Sequence, residues 1–211
     1  MIHVAASLPI FPLNTVLFPG GALPLRVFEA RYMDMIRRAM REGSEFGVCL
    51  ISKGREAGDH GVETEEIGCR ARIADWNMEQ LGVLQIETTG TERFEIVSRH
   101  VESDGLLVAN VIALEPEPAV PVPAEAAPCQ VLLQRIVQRL DDDLAKAAED
   151  DEDIRAPLGK PYLFDDATWV GNRLSEVLPI SLSAKQKLMA LTDGPTRLSI
   201  VLRYLQQHRI V

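Results

Sequence analysis

The sequence predicts an α+β chain in which a small, partly closed β barrel with one inserted helix precedes a C-terminal helical bundle. Three observations predict it. Up to Leu114, short apolar or alternating runs recur with frequent glycine, the pattern of strands joined by turns. Residues 115–128, EPEPAVPVPAEAAP, then place five prolines in 14 positions, which favours extended, polyproline-like geometry and reads as a semi-rigid connector. Beyond it, apolar residues return at helical spacing to the end of the chain. We therefore expect a β domain over residues 1–116, a connector over 117–128 and a helical domain over 129–211.

Taken in order, FPLNTVLFPGGALPLRV reads as two short strands separated by the turn Phe18-Pro19-Gly20-Gly21, where proline fixes φ and glycine supplies the bend. Ala30 to Glu42 sets Met33, Ile36, Ala39 and Met40 on one face of an amphipathic helix, with Gly43 at the capping position. Phe46–Ser52 is a strand. Gly68–Ala74 and Val83–Thr89 alternate as strands around an expected loop, Asp75–Gly82, and Arg93–Ser98 and Leu106–Leu114 complete six or seven strands. Four helices follow. Pro128–Leu144 carries Leu133, Ile136, Val137, Leu140 and Leu144 on a stripe, and Ala167–Leu178 carries Trp169, Val170, Leu174 and Val177 after the capping candidates Asp165 and Asp166. Ser183 with Gln186 forms a capping-box pattern for a helix through Leu191, and Gly194-Pro195 opens the last one, with Leu198, Val201, Leu202 and Leu205 inward.

Composition narrows the class. With 46% hydrophobic and 25% charged residues the chain is neither disordered nor fibrous. No apolar run approaches the roughly 20 residues of a membrane-spanning helix, and the N-terminus lacks the pattern of a secretory signal. Cys49, Cys69 and Cys129 are odd in number and widely spaced, as expected of buried thiols in a reducing compartment, so the expected location is cytoplasmic. The formal net charge is −9, and residues 141–153, DDDLAKAAEDDED, hold eight carboxylates and one lysine. Arg26–Arg41 and Arg173–Arg209 are mildly basic and read as solvated helix faces.

The motifs of catalysis are missing. Gly159-Lys160 is followed by proline and lacks the earlier glycine of a phosphate loop; no H-E-x-x-H occurs; and His3, His60, His100 and His208 are scattered singly. Gly43-Ser44-Glu45-Phe46-Gly47 falls short of a nucleophile elbow by its spacing, and the acidic run lacks the pattern of a calcium loop. We expect no catalytic residue, no cofactor and no metal.

Residues 8–36, LPIFPLNTVLFPGGALPLRVFEARYMDMI, resemble the opening of the Lon N-terminal, substrate-binding domain through Leu8, Pro9, Pro12, Leu13, Pro19, Gly20, Pro24, Leu25, Val27, Phe28, Glu29 and Arg31. A second block, Ile67-Gly68 with Ala71-Arg72-Ile73, Gly90 and Arg93-Phe94, and a third, Leu178-Pro179-Ile180 through Gln186-Lys187-Leu188 to Arg197-Leu198, extend the resemblance over nearly the whole chain. It implies a PUA-like β pseudobarrel followed by a helical bundle, and recognition of proteins or peptides without chemistry. Full Lon proteases continue into an ATPase and a Ser-Lys peptidase domain, and cereblon-type relatives add a zinc-bearing domain. The sequence shows none of these, so the expectation is a stand-alone Lon-domain protein. The shared residues read as fold determinants: prolines fix extended segments, Gly20 and Gly90 serve turns, Phe94 fills the barrel, and Glu29 and Arg31 hydrogen-bond near the helix start.

The resemblance thus implies a non-catalytic module that recognises proteins or exposed peptide segments, such as an adaptor in protein quality control. The alternative is an RNA-binding module, because other PUA-like domains bind RNA; the acidic balance and the lack of clustered basic and aromatic strand positions count against nucleic acid. A hydrolase has only scattered polar residues behind it. For partner contacts the candidates are Trp76 and Met78 in the Asp75–Gly82 loop, with Phe28 and Tyr32. The competing expectation for Trp76 is that it folds back onto the helical half or onto the groove formed with Tyr32 and Phe28.

Overall fold

The computed structural model describes residues 6–54, 62–149 and 160–211. They divide into two units, Met1–Pro116 with Leu182–Gln186, and Glu117–Ser181 with Lys187–Val211. His3, His60, Gly159 and the last four positions of the acidic run lie outside the described residues.

The first unit contains strands β1 (Ala6–Leu13), β2 (Ala22–Val27), β3 (Phe46–Lys53), β4 (Glu63–Thr64), β5 (Ile67–Gln80), β6 (Val83–Val101) and β7 (Leu107–Ala113), with helix α1 (Ala30–Glu42) inserted after β2. β1, β7, β6, β5 and β3 are hydrogen-bonded in that order, and a parallel pairing of Ile10–Leu13 with Gly47–Leu50 closes the circuit. The α+β near-barrel with one inserted helix is therefore as expected. α1 presents Tyr32, Met33, Met35, Ile36 and Ala39 to a core that includes Phe11, Leu13, Phe46, Val48, Leu84 and Ile86. A fully buried Met, Ile, Leu, Val or Phe side chain contributes about 1.5–3 kcal/mol. The helix stops at Gly43, whose φ of 63° is open to glycine and whose N–H donates to the Ala39 carbonyl.

Two expectations in the sheet are corrected. Asp75–Gly82 is not a loop: β5 runs through to Gln80, which pairs with Val83, leaving only Leu81-Gly82 as the turn. Gly82, at φ 83°, supplies the bend, and the alternation of the flanking strands simply continues. Nor are Val83–Thr89 and Arg93–Ser98 separate strands, because β6 passes straight through Gly90. Along one edge β6 pairs first with β2 and then with β7; along the other it pairs with β5. Gly90 sits between those two edge partners. Its carbonyl accepts from the Gly20 N–H and its N–H donates to the Gly21 carbonyl, both at 2.8 Å. A Cβ there would lie 2.2 Å from the Phe18 carbonyl oxygen, so the glycine provides room for close approach and does not make a turn.

The second unit contains a 3₁₀ turn (Ala124–Ala126), α2 (Ala127–Glu149), α3 (Ala167–Val177), the end of α4 (Leu182–Ala190) from Lys187 on, and α5 (Gly194–Gln207). Its core side chains include Leu133, Val137, Val170, Leu174, Leu198, Val201 and Leu205. The expected stripe on α3 stops short, since Val177 is exposed and Leu178 is buried in its place. Asp166 caps α3, accepting from the Thr168 N–H at 3.0 Å. It also accepts from the Val120 N–H at 3.2 Å, and Val120 in turn accepts from Ala167 at 2.7 Å. These bonds tie the proline-rich segment to the start of α3.

Two charge and capping expectations also change. Ser183 lies inside α4, and Gln186 makes no capping box; its amide donates to the Ile67 carbonyl at 2.8 Å within the first unit. Arg173–Arg209 is not a solvated basic face, because Arg173 and Arg197 are among the most deeply buried side chains. The Arg197 guanidinium forks onto both oxygens of Glu117, at 2.6 and 2.7 Å, and donates to the carbonyls of Leu188 and Leu191. Bidentate geometry and the two further carbonyl acceptors are what make such a pair tolerable in an interior.

Candidate functional site

Pairing register places the candidate contacts within one sheet. Leu25 on β2, Ile86 on β6 and Trp76 on β5 lie directly opposite one another, so their side chains share a face. Ile86 is buried in the core, whereas Trp76 stands at the margin of the row and is 53% exposed. Met78, two residues further out, is 39% exposed, and Leu81 in the turn is 97% exposed. Phe28 directly follows β2, past Val27 opposite Leu84, and is 62% exposed. Trp76 thus does not pack into a groove with Tyr32 and Phe28.

Tyr32 occupies a different position. Its ring is buried, stacked on Phe11 with centroids 4.1 Å apart at 17°. The Arg31 guanidinium lies 4.7 Å from the Tyr32 centroid, pairs with Glu29 at 2.9 Å and donates to the Gly105 carbonyl at 2.8 Å. The expected local bonding of Glu29 and Arg31 is therefore present, and Arg31 additionally ties the helix start to the turn before β7. Beside Tyr32 opens a groove of about 440 Å³, walled by Phe11 and Leu13 of β1 and by Leu25, Arg26 and Val27 of β2, with Phe28 at its rim. The structure brings Phe28 and Tyr32 to this groove and leaves Trp76 and Met78 outside it.

Sequence reasoning missed Leu81 and the β2 edge. Two signals were available: Leu81-Gly82 between alternating runs is a hairpin turn, and Pro24 inside a strand pattern marks an edge strand.

Other polar and aromatic clusters offer less. Among the described residues no three His, Cys, Asp or Glu side chains are grouped to hold a metal ion. The three cysteines are free and buried; burial pushes the Cys49 thiol up to about 12, against the opposing influence of Arg99 and a Thr64 hydrogen bond, and pushes Cys129 up to about 11. Such thiols lack the thiolate that nucleophilic chemistry needs. In the second unit a shallow cavity of about 520 Å³ is lined by Pro121, Tyr162, Leu163, Phe164 and Asp166. Its Tyr162 hydroxyl donates to Asp141 at 3.0 Å, and burial together with that carboxylate raises the phenol to about 12.

Comparison with known proteins agrees with this architecture. Residues 7–207 match the family described as the ATP-dependent protease La (LON) substrate-binding domain. Among solved structures, the Lon N-terminal domain protein from Xanthomonas campestris aligns with a TM-score of 0.74 and 33% identity, covering 94% of this chain and 98% of that one. Among curated proteins, Lon protease of Anaeromyxobacter dehalogenans is 25% identical over 210 residues, 98% of this chain and 24% of the relative. Protein cereblon of Gallus gallus is 29% identical over 129 residues, 61% of this chain and 28% of the relative. The chain thus spans about a quarter of the length of these curated relatives. None of its described helices is long and apolar enough to cross a membrane. With the family match running over almost its full length, the chain belongs to the Lon substrate-binding domain family.

Proposed function

We propose that this chain is a non-catalytic recognition module for exposed apolar segments of other proteins, serving as an adaptor in protein quality control. One observation carries the reading: Trp76 and Met78 on β5, Leu81 in the β5–β6 turn and Phe28 just past the end of β2 hold large apolar surfaces in water around one sheet. Folding gains little from side chains left exposed, whereas covering one fully is worth about 1.5–3 kcal/mol. Trp supplies a rigid contact and Met an adaptable one, which suits a surface that meets varied sequences. The family description as a substrate-binding domain supports the same reading.

The test is binding of a fluorescently labelled, permanently unfolded protein, reduced and carboxymethylated α-lactalbumin, followed by anisotropy. Trp76→Ala is expected to weaken capture about tenfold, equivalent to 1.4 kcal/mol, with Tm unchanged. A large fall in Tm with unaltered capture would make Trp76 a core residue and overturn its role as a contact.

A further inference from the structure

The geometry points to the open edge of β2 as the seat of an extended peptide that adds a strand to the sheet and carries an acidic residue between two apolar ones. This rests on the reading of the chain as a peptide-recognition module, and specifies what that module takes.

Among the described residues β2 pairs only with β6, so its other edge has no strand beside it, and the groove of about 440 Å³ runs along that edge. The direction of the backbone groups follows from two independent observations. The Thr88 hydroxyl donates to the Leu23 carbonyl at 2.7 Å, so that carbonyl faces β6. Pro24 has no N–H, and within a sheet proline is tolerated where that direction leaves the ladder. Backbone groups alternate sides along a strand, so Leu23, Leu25 and Val27 bond toward β6 while Arg26 turns its N–H and C=O to the open edge. Pro24 blunts the start of the edge; Arg26 leaves its far half available.

Side-chain alternation then sets the ligand's chemistry. Leu23, Leu25 and Val27 face the core side, and Leu25 and Val27 join Phe11, Leu13 and Tyr32 in an apolar wall. Pro24, Arg26 and Phe28 face outward and are exposed. A strand laid along β2 would therefore put alternate side chains into the apolar groove and the intervening one beside Arg26. Glu29 is already matched by Arg31, and no ion pair among the described residues engages Arg26. Arg26 thus supplies the positive charge on the open side of the strand and selects a carboxylate there, while Glu87, opposite Pro24, lies on the β6 side. It also disfavours a second copy of the chain, since two β2 edges paired antiparallel about Arg26 would set two guanidinium groups against each other. This is strand addition: main-chain bonds hold the ligand, and alternate pockets choose its sequence.

The probe is a dye-labelled peptide blocked at both ends with a central Leu-Glu-Leu, titrated against the full chain. Three results are expected. N-methylation of the Glu nitrogen or of the following Leu nitrogen weakens binding at least tenfold at one position and leaves the other nearly unaffected, because only alternate N–H groups face β2. Arg26→Glu weakens the parent peptide at least tenfold. A Leu-Lys-Leu peptide then binds the Arg26→Glu chain more tightly than it binds the wild type. Loss at both N-methyl positions, or at neither, overturns the proposal even if Arg26→Glu fails to fold, since those arms use unaltered protein. So does an unchanged affinity in folded Arg26→Glu. If α-lactalbumin is still captured when these arms are flat, the edge assignment fails and the recognition reading stands. If the peptide pattern holds without α-lactalbumin capture, the converse applies.

Discussion

The two units break the ordinary rules of residue placement in opposite directions. At the margin of the first unit's sheet, Phe28, Trp76, Met78 and Leu81 leave apolar surface in water. Inside the second, Arg173 and Arg197 are buried with their charge, and the side chain of Glu117 beside Arg197 is nearly so. An exposed apolar side chain costs the folded state little, because it is equally exposed in the unfolded chain. A buried charge costs several kcal/mol unless its partners are built around it, and here Arg197 has a carboxylate and two carbonyls within hydrogen-bonding distance. The sheet margin can therefore change with little effect on the fold, whereas the Glu117–Arg197 pair cannot.

The sharpest test of that contrast is the largest effect. Glu117→Ala is expected to destabilise the second unit by about 3–5 kcal/mol, since it strands a buried guanidinium. Urea unfolding measures the loss. Alkylation adds a local readout: Cys129 reports on the second unit and Cys49 on the first, and both are buried in the native chain. Glu117→Ala should speed labelling of Cys129 well before it affects Cys49. A loss below about 1 kcal/mol would erase the distinction between the two regions.

Next in size is a change inside the first unit that separates its core from its margin. Gly90→Ala brings a methyl group against the Phe18 carbonyl and disturbs the paired bonds to Gly20 and Gly21. Overpacking of this kind costs about 1–3 kcal/mol, measurable as a drop in urea midpoint. Trp76→Ala and Leu81→Ala, on the same sheet, should each stay within about 0.5 kcal/mol of the parent while weakening capture of unfolded protein. Equal stability losses from Gly90→Ala and Leu81→Ala would show that the margin is part of the core.

Much of this architecture could be read from local chemistry. Amphipathic spacing from Ala30 to Glu42 and the glycine that follows gave α1 to the residue, because helix period and cap are written in adjacent positions. The loop expected at Asp75–Gly82 failed for a physical reason: Asp and Asn are common in turns, but a strand tolerates them when cross-strand partners hold the backbone extended. Gly90 misled in the same way, since the sequence does not say whether a glycine bends the chain or makes room for another segment. The burial of Arg197 was illegible because Glu117 lies 80 residues away and only folding brings the two together. For the candidate site, Trp76, Met78 and Phe28 were identifiable as apolar residues near turns, and Pro24 marks β2 as an edge strand, but the groove beside Tyr32 is assembled from β1, β2 and α1, which no local pattern brings together.

The smallest expected effect is a pH dependence in the second unit, and it concerns an exposed charge, unlike the Glu117–Arg197 pair. Asp193 caps α5, its carboxylate accepting from the Thr196 N–H at 2.8 Å. Hydrogen bonding to Thr196, foremost its side chain and then its N–H, holds the Asp193 carboxyl below its ordinary value, with a lesser contribution from Arg197. A carboxyl lowered in the native state binds its proton less readily there than in the unfolded chain, so it contributes stability above the ordinary value near 3.9. That contribution fades as pH falls through this value and is lost below the depressed native one. The difference in Tm between the parent chain and Asp193→Ala should therefore be constant from pH 8 to pH 5 and shrink toward pH 3. Both proteins would be melted at each pH under equal ionic strength. A difference that grows on acidification would reverse the sign of the linkage and remove the ionised cap from the account of α5.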